Sequence, residues 1–119
     1  MAVQFICYTR CTTCAKAQKW LDEKGIAYVM RDIKTHNPSE AELKNWISKS
    51  GLPLRRFFNT SGNQYRVLSL SERLDAMSDE EKMMLLATDG MLVKRPILLA
   101  GDTVLVGFKT EEWKTALGV

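Results

Sequence analysis

Residues 3–32 read VQFICYTRCTTCAKAQKWLDEKGIAYVMRD, and the succession of patterns inside this stretch decides the fold. Val3 to Tyr8 is rich in β-branched and aromatic residues and stops at the polar pair Thr9-Arg10, which predicts a buried central strand. From Thr12 to Lys24 the apolar residues Cys14, Ala17 and Leu21 recur at helical spacing. Lys16, Lys19, Asp22 and Glu23 occupy the other faces, and Gly25 closes the segment. Ile26 to Asp32 then reads as a second strand. Strand, helix and strand make one βαβ unit, which favours parallel pairing and a right-handed crossover.

The junction between the first strand and the helix carries Cys11 and Cys14 in a C-x-x-C. A thiol at a helix start meets unsatisfied N–H groups and the positive end of the dipole, and Arg10 and Lys16 add positive charge. This is the setting in which a cysteine becomes a nucleophile. Cys14 lies three residues further on, on the same side of the helix, placed to attack a sulfur adduct on Cys11 and close a disulfide. The plainer alternative is a pair of small buried residues at a helix start. Cys7, inside the strand, reads as a small core residue. Cys7, Cys11, Cys14 and His36 together have the residue types of a zinc site, but there is one histidine and no second C-x-x-C. His36 itself falls in a polar segment before Asn37-Pro38 and reads as a solvated loop residue.

Further along, Ser39-Glu40-Ala41-Glu42 is a capping box leading to Leu43, Trp46 and Ile47, so a helix is predicted from about Ser39 to Ser50, with Gly51 as its stop. Leu54 to Phe58 suits a short helical turn, Asn59 to Asn63 is loop chemistry, and Ser71 to Ala76 suits another short helix. Ser78 and Glu81 repeat the capping signal before KMMLLA, with Asp89-Gly90 ending that helix. Arg55-Arg56 beside Phe57-Phe58 reads as solvated charge next to buried rings, and the methionines read as core packing. Beyond Gly90 the pattern returns to sheet: strands at Ile97–Ala100 and Thr103–Phe108, a two-residue turn Gly101-Asp102 between them, and a last helix from Thr110.

The order is thus β-α-β, helices, then β-β-α, with a proline directly before the third strand. It predicts an α/β protein with a thioredoxin-like sheet. The core would comprise residues 1–35 and 91–119 and the helical insertion residues 36–90, within a single domain spanning 1–119. Lys94-Arg95-Pro96 is the second constellation of interest. Pro96 removes a backbone donor and suits a cis peptide, and Arg95 offers a fork for an anion; the alternative is an edge-strand proline with a solvated arginine.

Composition excludes several classes. The chain has 119 residues, 45% hydrophobic and 26% charged, which fits a folded domain with a core of its own. Seventeen basic against fourteen acidic residues give a formal charge of +3, too mild and dispersed for direct nucleic-acid binding but compatible with a small anionic substrate. The longest apolar runs, Met83–Ala87 and Pro96–Ala100, are far below a membrane span, and no charged-then-apolar leader precedes the first strand, so a cytoplasmic location without membrane association is expected. Three cysteines are too few for a secreted disulfide framework.

Taken together, Cys11-Thr12-Thr13-Cys14, Phe57-Phe58-Asn59-Thr60-Ser61-Gly62, Asp89-Gly90, Lys94-Arg95-Pro96-Ile97 and Val106-Gly107-Phe108 resemble the ArsC/Spx family over nearly the whole chain. In the ArsC branch the resemblance implies that a thiolate attacks arsenate, and that glutathione and glutaredoxin complete its reduction. Cys11 matches the nucleophile and Arg95 the oxyanion-holding arginine of an Arg-Pro pair. With Cys14 as resolving thiol, Cys11, Cys14 and Arg95 form the expected catalytic set, and Arg10, Thr12, Thr13 and Pro96 the expected substrate-binding set. No bound cofactor or metal is expected; glutathione with glutaredoxin, or thioredoxin, would supply the electrons, and the substrate would be a small oxyanion or a thiol compound. The chain departs from the ArsC pattern at Asn59 and Gly107, where that pattern has anion-binding arginines, and at Cys7 and Ala15, where it has a histidine and an arginine. Each charge-assisted contact is worth roughly 1.5–3 kcal/mol, so these departures imply weakened arsenate binding. The Spx branch implies a different activity, a redox-controlled regulator that binds the carboxy-terminal domain of the RNA polymerase α-subunit.

Overall fold

A computed structural model of the chain describes residues 3–60 and 62–119; Ser61, part of the predicted loop, lies outside the described residues. The chain divides into two compact units, one formed by the residues up to Asp32 with Arg95–Val119, the other by Ile33–Lys94.

The first unit is built on a four-stranded sheet. Strands β1 (Val3–Cys7), β2 (Val29–Asp32), β3 (Ile97–Ala100) and β4 (Thr103–Val106) lie in the order β2-β1-β3-β4. β1 pairs parallel with β2, and β1–β3 and β3–β4 are antiparallel. The expected βαβ unit is therefore present, its crossover being helix α1 (Thr12–Glu23), and Gly101-Asp102 joins the β3–β4 hairpin. This arrangement is thioredoxin-like.

Alternation along β1 places Val3, Phe5 and Cys7 in one apolar cluster with Cys14, Ala17 and Leu21 of α1, Leu98 and Ala100 of β3, and Trp113. Cys14, Ala17 and Leu21 are the buried residues of α1, the i, i+3, i+7 stripe read from the pattern. Trp113 comes from the C-terminal helix (Thr110–Leu117), is fully buried, and donates its indole N–H to the Gly107 carbonyl at 3.1 Å. Phe5, Trp20 and Phe108 meet its ring edge-on at 6.2, 6.0 and 4.9 Å between centroids, a geometry that suits aromatic quadrupoles.

Three strand boundaries fall inside the predicted ones, each for a local reason. β1 ends at Cys7 because the Tyr8 amide is given to the Cys14 sulfur and not to a neighbouring strand. β2 begins at Val29 because the Ile26 amide still closes α1, bonding to the Leu21 carbonyl. β4 ends at Val106 because Gly107 turns to φ +82° and donates its N–H to the Pro96 carbonyl at 2.8 Å.

The second unit is helical. It holds α2 (Glu40–Ser50), α3 (Asn63–Val67), α4 (Leu70–Arg73) and α5 (Asp79–Thr88), with single 3-10 turns at Leu54–Phe57, Leu74–Ala76 and Gly90–Leu92; the C-terminal helix of the first unit is then α6. Both predicted capping boxes are formed: Ser39 with Glu42 and Ser78 with Glu81 exchange side-chain and backbone bonds in both directions. The helix at Asn63–Val67 replaces the end of the predicted loop. Directly before it, the Gly62 amide bonds the Asn59 carbonyl at 3.2 Å.

Candidate functional site

The end of β1 and the start of α1 are joined by a tight turn. The Cys11 amide bonds the Tyr8 carbonyl at 3.0 Å, and the Cys11 carbonyl accepts from Ala15 at 3.0 Å as the first bond of the helix. Cys11 is therefore the N-cap of α1, with extended backbone (φ −89°, ψ 123°), and no side chain caps the helix there. Ser, Thr, Asp or Asn would ordinarily hold this position. A cysteine leaves the first amides of the helix without a capping oxygen, an arrangement suited to a site and not to helix stability. Cys11 is half-buried, while Thr12, Thr13, Arg10 and Lys16 are exposed around it.

Cys14 is deeply buried, at 3% exposure, in the apolar cluster that also holds Cys7. Its sulfur accepts the Tyr8 amide at 3.3 Å. Hydrogen bonding with the Cys7 thiol, and then burial, push the Cys14 thiol well above the ordinary thiol range. The same Cys14 bond draws Cys7 below that range, against burial and the charge of Asp32, its β2 neighbour in register. All three cysteines are free thiols. Among the described residues no group of three or more His, Cys, Asp or Glu is arranged to hold a metal ion.

Arg95 and Pro96 lie at the same end of the sheet. The antiparallel register that pairs Ile6 with Ile97 carries Pro96 to the level of Cys7 and Arg95 to that of Tyr8. The Arg95–Pro96 peptide bond is cis, Pro96 is buried, and Arg95 is half-buried with its guanidinium carbon 5.4 Å from the Tyr8 ring centre. Tyr8 is the residue the sequence reading passes over. Its amide reaches Cys14, its carbonyl reaches Cys11 and its ring meets Arg95. Its position as the last residue before the polar turn is the available signal. Gly107, where the ArsC pattern has an arginine, is buried against the Pro96 carbonyl, and Asn59, the other such position, belongs to the helical unit. Shallow hollows along α1, one of about 270 Å³ lined by Lys16, Trp20 and Phe108 among others and one of about 540 Å³ around Gln18 and Asp22, do not include Cys11.

A sheet of this topology, with a C-x-x-C where its first strand enters a helix, defines a thioredoxin-like thiol protein. Comparison with known proteins narrows the class. The ArsC family model matches residues 7–116, and the chain belongs to the ArsC family. It is 48% identical over 114 residues to the uncharacterized protein YusI of Bacillus subtilis, covering 96% of this chain and 97% of that one. It is 28% identical over 102 residues to the global transcriptional regulator Spx 2 of Bacillus cereus, covering 86% and 76%. Among solved structures, an ArsC family related protein from Bacteroides fragilis superposes with a TM-score of 0.95 at 52% identity, over 98% of each chain. No helix among the described residues is long and apolar enough to cross a membrane.

Proposed function

We propose that the chain is a thiol-dependent oxidoreductase in which Cys11 is the nucleophile, Cys14 the resolving thiol and Arg95 the residue that orients an anionic substrate. The observation that carries this reading is the half-buried Cys11 at an uncapped helix start, with the buried Cys14 one turn further along the same helix. An oxyanion or a mixed disulfide is the substrate class. With arsenate, Cys11 displaces a hydroxyl group to form a sulfur–arsenic bond. The displaced hydroxyl leaves as water; Cys14 then attacks the Cys11 sulfur, the sulfur–arsenic electron pair stays on arsenic, and As(III) departs as arsenite while the Cys11–Cys14 disulfide forms. Electrons return through glutathione and glutaredoxin, or through thioredoxin. Arg10, Thr12, Thr13 and Pro96 form the border of the site.

The test is steady-state arsenate reduction by the wild type and by Cys11→Ser, with glutathione and glutaredoxin as reductant. Loss of turnover in the variant is expected; equal rates in the two proteins would remove Cys11 from the mechanism. The relationship to Spx 2 supports a second reading, a redox switch that binds the carboxy-terminal domain of the RNA polymerase α-subunit. Absence of turnover in both proteins, together with binding of that purified domain that changes on oxidation, would favour the switch.

A further inference from the structure

We propose that Cys7 is a third exchanging thiol: a disulfide closed first between Cys11 and Cys14 passes inward to Cys7–Cys14 and returns Cys11 to its reduced form. The inference rests on Cys11 being the reactive thiol. It comes from the placement of the three thiols: the Cys14 sulfur accepts the amide that directly follows Cys7, Cys7 and Cys14 are buried in one apolar cluster, and Cys11, one turn before Cys14, packs against that cluster. Cys7 and Cys14 share one apolar cluster at 1% and 3% exposure. A buried cysteine is ordinarily an inert core residue, but inertness follows from isolation. Cys7 lies beside Cys14 in that cluster, so a disulfide made at Cys14 forms next to a third thiol.

The steps balance with a low-molecular-weight disulfide, RSSR, as oxidant. Cys11 attacks one sulfur of RSSR, forming Cys11–S–S–R and releasing one RS⁻. The Cys11 proton goes to that RS⁻; Cys14 attacks the Cys11 sulfur and its proton goes to the second RS⁻, which is expelled. Cys7 then loses its proton and attacks the Cys14 sulfur. The Cys11–Cys14 bond breaks, its electron pair stays on Cys11, and Cys11 takes up a proton. Overall two protein thiols are oxidised and one RSSR becomes two RSH; the last step is an internal exchange. Its direction follows from burial. Cys11 is the one of the three that is not fully buried, so the departing thiolate meets water, and an apolar disulfide replaces two thiols in the core.

The experiment maps the disulfide in the full chain. Reduced protein is oxidised with one equivalent of oxidised glutathione, quenched in acid, alkylated with iodoacetamide, digested with trypsin and mapped without reduction. Cleavage after Arg10 separates Cys7 from Cys11 and Cys14, so an inward disulfide joins two peptides and an outer one stays within a single peptide. The expected product links Cys7 to Cys14 with Cys11 alkylated. A stable Cys11–Cys14 disulfide with Cys7 alkylated would overturn the relay while leaving the proposed function intact. Failure of Cys11 to react with oxidised glutathione would overturn both. Cys7→Ala should stop at the Cys11–Cys14 disulfide, and Cys11→Ser should form the inner disulfide about tenfold more slowly or worse. Formation at the wild-type rate without Cys11 would also reject the relay. The wild-type map decides the question even where a variant folds poorly.

Discussion

The guanidinium of Arg95 stands 5.4 Å from the centre of the Tyr8 ring, which ties the residue before the cis-proline to the residue that opens the cysteine turn. A cation held over a partly desolvated ring is worth about 1 kcal/mol, and the contact restricts where the planar fork of Arg95 points. Tyr8→Leu removes the ring and leaves the backbone bonds to Cys11 and Cys14 available. Under the proposed function, the KM for an anionic substrate is expected to rise roughly fivefold with kcat little changed. Tyr8→Phe, which keeps the ring face, should restore the wild-type value. A loss in kcat of equal size in both variants would instead place the tyrosine hydroxyl in the chemistry.

Gly90 supports a second prediction, on stability. The Asp89-Gly90 signal predicts the end of a helix, and α5 does end at Thr88. Its physical basis is different, because Gly90 is absent from the positive-φ glycines. What requires glycine is close approach: a Cβ there would run into the Ile33 carbonyl, and Asn37 Cβ would lie at 3.3 Å. A backbone carbonyl cannot yield as a flexible side chain can. Gly90→Ala is expected to cost about 1–3 kcal/mol, read as a lower urea midpoint. An unchanged midpoint would mean that the segment around Ile33 relaxes freely.

Features visible in the sequence are those set by residues close together in the chain. The apolar stripe Cys14, Ala17, Leu21, the two capping boxes and the Gly101-Asp102 hairpin each depend on a few neighbours, and each is present. The short helix Asn63–Val67 escapes the pattern because five residues are too few for a sustained periodicity. The site divides along the same line. The helix-start position of Cys11 is local, and so is legible. The contacts from Cys14 to Cys7 and from Arg95 to Tyr8 depend on packing α1 onto β1 and on the β1–β3 register. Cys7 looks like core because it is core; only its neighbour makes it interesting.

The opposed shifts of the two buried thiols lead to a pH dependence with two signs. Cys7 lies below the ordinary thiol range in the folded chain, so as pH rises toward about 8.5, where unfolded thiols titrate, the folded state has already lost a proton that the unfolded state retains, and stability increases. Cys14 lies far above that range. Once pH exceeds the unfolded thiol value, the unfolded chain releases a proton that folded Cys14 keeps, and stability falls by up to about 1.4 kcal/mol per pH unit. The larger shift belongs to Cys14, so the alkaline loss should dominate. Urea midpoints of the reduced protein at neutral pH and near pH 10 would measure it against Cys14→Ala, whose alkaline loss should be smaller by this contribution because both the high thiol and its bond to Cys7 are gone. Equal losses in wild type and variant would show that the Cys14–Cys7 bond does not control protonation at the site.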